Sequence, residues 1–123
     1  MAAFFISKNP VVVELNPDCK LEGMEYVLPS LDRVDVMFKH LEVLYAVEVK
    51  SHEANDIELV RGLYQVVKYE ALSRALQKDR NHPPLAHACL ATSAILTDEV
   101  RERARLLRVT VIEGISIPKN LQN

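Results

Sequence analysis

The most constraining feature of this 123-residue sequence is a change of hydrophobic period in mid-chain. Val34 to Phe38 and Val43 to Val49 are rich in β-branched and aromatic residues, and the mostly polar Lys39-His40-Leu41-Glu42 separates them. This pattern predicts a hairpin with a short loop over 39–42. From Asn55 the period becomes helical. Asn55 and Glu58 form a capping pair, and Ile57, Val60, Tyr64, Val67, Ala71 and Ala75 recur as the expected buried stripe of a helix running to about Lys78. Asn81-His82-Pro83-Pro84 ends it. Leu85 to Ala91, apolar or small on both alternating faces, predicts a central strand covered on both sides. Thr97 with Asp98 and Glu99 opens a second helix whose Val100, Ala104 and Leu107 face inward, and Val109 to Ile112 returns to strand. Hairpin, helix, strand, helix, strand is the order of an α/β fold, a mixed β-sheet flanked by helices.

Residues 1 to 30 hold Pro10, Pro17, Pro29 and Gly23 around the β-branched run Val11-Val12-Val13, and they sustain no helical period for three turns. Strands and turns are expected there. The length fits one domain over 1–123. A composition 49% hydrophobic and 26% charged is that of an ordinary soluble protein. No apolar run approaches the roughly 18 residues of a membrane span, and Met1-Ala-Ala-Phe-Phe-Ile lacks the basic lead of a signal peptide, so a cytoplasmic location is the expectation. Cys19 and Cys89 stand far apart with no CxxC pairing, which predicts reduced thiols. A net charge of −2 and pI near 6.1 exclude a broadly basic surface, so any contact with nucleic acid must be local.

The chemistry concentrates on the hairpin. In Leu44-Tyr45-Ala46-Val47-Glu48-Val49-Lys50, alternation sends Glu48 and Lys50 to one face and Tyr45, Val47 and Val49 to the other. Asp35 lies opposite Val34 and Val36 on its own strand. With a four-residue loop Asp35 pairs near Ala46, making it the diagonal neighbour of Glu48 at roughly 7 Å between Cβ atoms. Two carboxylates at that separation can share a hard cation such as Mg²⁺, which takes one or two carboxylates plus waters and phosphate oxygens. An ammonium two residues along can orient a metal-bound water or a phosphate oxygen. Taken alone, the trio is also what a solvated hairpin face with a cross-strand salt bridge would show.

Asp35 followed by Glu48-Val49-Lys50 resembles the D…ExK signature of the PD-(D/E)XK nucleases, and Asp32-Arg33-Val34-Asp35-Val36 looks like the way that strand begins in restriction-endonuclease-like members. In Arg61-Gly62-Leu63-Tyr64-Gln65-Val66-Val67-Lys68-Tyr69, Gln65 and Tyr69 are similar to the QxxxY motif of the RecB-like exonuclease branch. The resemblance spans about residues 31 to 113, and its ordered combination is more specific than any one motif. It implies a restriction-endonuclease-like core. It further implies that Asp35 and Glu48 are ligands of Mg²⁺ or Mn²⁺ with the Val49 carbonyl as a third, that Lys50 is the catalytic lysine, and that Gln65 and Tyr69 position substrate or the metal-bound water. DNA is the implied partner. The family's opening helix bears an acidic residue, whereas residues 1–30 read as an atypical or truncated counterpart in which Glu14 or Glu25 could fill that role.

Arg61 and Lys68, about one turn from Gln65, are the expected phosphate contacts; the other basic residues of both helices alternate with acids and read as solvated. Gly62 costs the helix about 1 kcal/mol relative to alanine, and packing against the sheet is its expected reason. The reading is a metal-dependent deoxyribonuclease. Its alternatives are a junction-resolving endonuclease of the Holliday-junction type, acting as a homodimer, and a catalytically degenerate module that keeps the fold for binding or assembly.

Overall fold

A computed structural model describes residues 2–121. Helix α1 (Ala2–Lys8) and a 3-10 turn (Pro10–Val13) precede strands β1 (Lys20–Val27), β2 (Arg33–His40) and β3 (Val43–Lys50). Helix α2 (Asp56–Asp79), β4 (Ala86–Thr92), α3 (Asp98–Leu107), β5 (Thr110–Ile112) and a 3-10 turn (Lys119–Leu121) follow. The strands form one mixed sheet in the order β1-β2-β3-β4-β5. The pairs β1–β2 and β2–β3 are antiparallel, while β3–β4 and β4–β5 are parallel, as crossovers through a helix require. The fold is α/β, with helices on both sides of the sheet.

Alternation along the central strands builds two cores. On one side Met37, Leu44, Ala46 and Leu90 meet Leu63 of α2 and Val100 of α3. On the other side Phe38, Val47 and Cys89 meet Ile6 of α1, Val13 and Ile115. The segment read as strands and turns thus begins with helix. Seven residues are too short to register a period, and Pro10 starts a 3-10 turn, where its fixed φ is already suitable. The Val11-Val12-Val13 run follows it there because Val13 is drawn into the core at 2% exposure.

The hairpin is tighter than the four-residue loop expected from the polar run. Lys39 pairs with Leu44 and His40 with Val43, leaving only Leu41 and Glu42 to turn the chain. Both have positive φ, 49° and 68°, the combination whose twist matches antiparallel strands. No Asn-Gly pair announced it. The register therefore puts Asp35 directly across from Glu48, one step beyond the Val36–Val47 pair, and not beside Ala46.

Helix α2 starts as expected. The Asn55 side chain accepts from the Glu58 N–H and the Glu58 carboxylate accepts from the Asn55 N–H. Its buried face is the one not chosen from periodicity: Leu59, Gly62, Leu63, Val66, Tyr69, Ser73, Leu76 and Gln77 turn inward. Ile57, Tyr64 and Val67 are 71%, 50% and 43% exposed, and Ala71 and Ala75 are exposed as well. Gln77, fully buried, donates through Nε2 to the Glu42 and Leu85 carbonyls, tying the helix end to the hairpin turn and to the entry of β4. Helix α3 is capped by the Thr97 hydroxyl, which accepts from the Val100 N–H, and it buries Val100 and Ala104. Cys19 and Cys89 are free thiols. No helix among the described residues is long and apolar enough to cross a membrane.

Candidate active site

Where β2 and β3 part at the end of their ladder, the backbone N–H of Val49 is taken by a side chain: it donates to Asp35 Oδ2 at 2.7 Å. This fixes Asp35 on the α2 face of the sheet, the face that alternation from Ala46 also gives to Glu48 and Lys50. Glu48 is 8% exposed, and its carboxyl lies close enough to that of Asp35 to feel its charge. Burial, then the neighbouring Asp35 charge, push its pKa up to about 7, with Lys50 offsetting part of the rise. The Lys50 ammonium stands 3.6 Å from Glu48 Oε2. A buried carboxylate beside a half-buried one, with a single lysine for counter-charge, is a place where positive charge is missing.

Other expected residues surround this group at varying distance. Tyr69 is 5% exposed in the α2-side core and its hydroxyl donates to the Arg33 carbonyl at 2.8 Å, pinning the helix to the start of β2. Burial and the charges of Glu48, Asp35 and Asp32 push its pKa up to about 12, so it stays a phenol near neutral pH. Gln65, one turn earlier, has an Oε1 atom that is buried with no hydrogen-bond partner. Lys68 is bound to Asp32 Oδ1 at 2.8 Å, and that contact, with the Ser30 hydroxyl, holds Asp32 below the usual carboxylate range. Arg61 is exposed and makes no ion pair among the described residues. On α3, by contrast, Arg101 is bound by Glu113 and Arg105 by Glu102.

The two upstream acids do not join the pair. Glu14 follows Val13 at the end of the 3-10 turn with φ 61°. It lines a cavity of about 250 Å³ with Tyr45, His87 and Cys89, reached from the α1 side, because Val13 and Leu15 anchor it in that core. Glu25 faces Asp35 in the β1–β2 register, between the Met24–Val36 and Tyr26–Val34 pairs. Its carboxylate is exposed and 4.0 Å from Arg33. Among the described residues no three of His, Cys, Asp and Glu come together as a metal cage. Two carboxylates are what could hold a hard cation such as Mg²⁺ or Mn²⁺, with water completing its shell, rather than a dedicated all-protein site. Asp32, quoted only as the start of the strand motif, proves to be the anchor of Lys68. Its Ser30-Leu31-Asp32 turn, with Leu31 at φ 73°, gave no sequence signal of that role.

No family model matches the chain, and no curated protein matches it. Among solved structures the chain is similar to the EndoMS-dsDNA2 complex, with a TM-score of 0.68 and 18% sequence identity. The match covers 95% of this chain and 44% of that one, so the chain spans less than half of its length. At that identity the likeness is one of fold: a mixed five-stranded sheet flanked by helices.

Proposed function

We propose that the chain is a PD-(D/E)XK-type nuclease domain that hydrolyses phosphodiester bonds in DNA with Mg²⁺ or Mn²⁺. The observation that carries this reading is the buried Glu48 carboxylate next to the half-buried Asp35, with Lys50 beside it. An ordinary surface salt bridge does not need a second carboxylate, and burying one without a counter-charge is costly. The fold it shares with a protein captured on double-stranded DNA supports the choice of substrate.

In this reading Asp35, held by the Val49 N–H, and Glu48 would supply the charged ligands of the ion, with the Val49 carbonyl as the third. When bound, the cation neutralises the phosphate and acidifies a water. Lys50 directs its ammonium at that water or at a phosphate oxygen, placing charge where it gathers in the transition state. Attack at phosphorus then breaks the bond to the leaving sugar oxygen. The free Gln65 Oε1 is an acceptor suited to a water at the site, and Arg61, about one turn from it, is a basic residue of this helix left unpaired for a phosphate. Tyr69 keeps α2 in register over β2.

The test is cleavage of linear, single-stranded, flapped and four-way DNA by the parent, Glu48→Gln and Lys50→Ala, with Mg²⁺, Mn²⁺ or EDTA. Metal-dependent cleavage by the parent that Glu48→Gln abolishes and Lys50→Ala reduces to a residual level supports the reading. If no substrate is cut and neither ion alters the melting temperature, the fold serves as a binding or assembly module.

A further inference from the structure

Gly62 sits in the middle of α2 with no conformational need to be glycine. It is absent from the residues with positive φ, and a glycine in a helix interior is unfavourable relative to alanine. Its reason is space. A Cβ built there would lie 3.0 Å from Lys50 Cε, 3.5 Å from Lys50 Cγ and 3.0 Å from Leu90 Cδ1. The lysine stem therefore runs beneath the helix backbone, against Leu90 of β4, and does not reach the site through solvent. Its ammonium emerges 3.6 Å from Glu48 with the side chain 23% exposed. Four single bonds in an open stem would otherwise leave the ammonium many places to be.

We propose that Gly62 is a positioning residue: its missing side chain forms the slot that holds the Lys50 stem and sets where its ammonium stands over the Asp35–Glu48 pair. The catalytic consequence rests on the nuclease reading; the slot itself does not. Both atoms crowded by a methyl group are far ends of flexible side chains, so Gly62→Ala folds and moves Lys50 and Leu90 rather than the backbone. Because misplacing a reacting group by about 1 Å can cost on the order of a hundredfold, Gly62→Ala is expected to lower kcat by about tenfold or more while KM stays close to the parent's.

Three readouts separate a slot from general packing. In a Lys50→Ala background, Gly62→Ala should cause no further loss, since residues acting through one group are not additive. Combining Gly62→Ala with Leu90→Val removes the other crowded neighbour and should leave the loss in place. Labelling of Lys50 by an amine-reactive acylating reagent, read by peptide mass spectrometry, should speed up in Gly62→Ala as the ammonium leaves its carboxylate partner. The inference is overturned if labelling and kcat are unchanged, if the loss persists in the Lys50→Ala background, or if Leu90→Val restores activity. A parent that cuts no DNA sinks the nuclease reading, and the labelling comparison then decides on the slot by itself.

Discussion

Glu48 is the residue whose environment departs furthest from its surroundings in sequence, and its proton carries a stability cost that can be measured without any substrate. Its folded pKa, about 7, lies above the ordinary glutamate value of 4.5, so between those limits the native state binds more protons than the unfolded one. Stability must then fall as pH rises through this window, by roughly 3 kcal/mol in total if Glu48 acts alone, and must level off above it. Glu48→Gln removes the ionisation and keeps the shape. Chemical denaturation from pH 4 to 9 in EDTA should show the decline in the parent and its loss in the variant, with the variant the more stable of the two above pH 7. A flat parent profile would mean that Glu48 ionises freely and that no charge is missing at the site. Tyr69 offers a milder case: Tyr69→Phe deletes the bond to the Arg33 carbonyl and should cost about 1 kcal/mol, with no change in the pH profile since its hydroxyl does not titrate below about 12.

At the scale of elements, α2 decides where the site residues go, and its face was the hardest feature to read. Ile57, Val60, Tyr64, Val67, Ala71 and Ala75 keep a helical spacing as good as that of Leu59, Leu63, Val66 and Leu76, and the true stripe is interrupted by Gly62, Ser73 and Gln77, residues that look polar or neutral in sequence. Gly62 is buried because Lys50 needs the space, and Gln77 because its amide bridges the Glu42 and Leu85 carbonyls. Leu63→Ala should therefore cost about 2–5 kcal/mol, Gln77→Ala about 1–3 kcal/mol through the stranded Glu42 carbonyl, and Val67→Lys less than about 0.5 kcal/mol. Urea unfolding of the three variants checks the assignment, and a costly Val67→Lys would return the helix to the other face. The hairpin, α2, β4, α3 and β5 were legible because each keeps one period over its length, and so was the sharing of a face by Asp35, Glu48 and Lys50, which depends only on alternation. The Leu41-Glu42 turn was not, since neither residue favours positive φ by itself. Helix α1 was not, since its stability comes from docking Ile6 on the sheet and not from anything local.

The whole molecule carries a net charge of −2, and several of its basic residues stand beside an acid: Lys68 by Asp32, Arg33 by Glu25, Arg74 by Glu70, Arg101 by Glu113 and Arg105 by Glu102. A chain of slightly negative net charge has no broadly basic surface to offer DNA, so under the nuclease reading much of its affinity arrives with the cation. Two consequences can be measured with Lys50→Ala, which keeps both carboxylates while cutting poorly. Binding of double-stranded DNA should be markedly tighter in Mg²⁺ than in EDTA, and below pH 6 that difference should shrink, because Glu48 then holds its proton in competition with the ion. The dependence on monovalent salt should also be shallow. Each phosphate neutralised by a side chain contributes a slope of about −0.9 in a log–log plot, so a footprint led by Arg61 corresponds to roughly −1 to −3, and Arg61→Ala should flatten it by about one unit. Tight binding in EDTA with a steep salt slope would show instead that DNA is held by a basic surface assembled elsewhere, and that the carboxylate pair is not what brings the phosphate in.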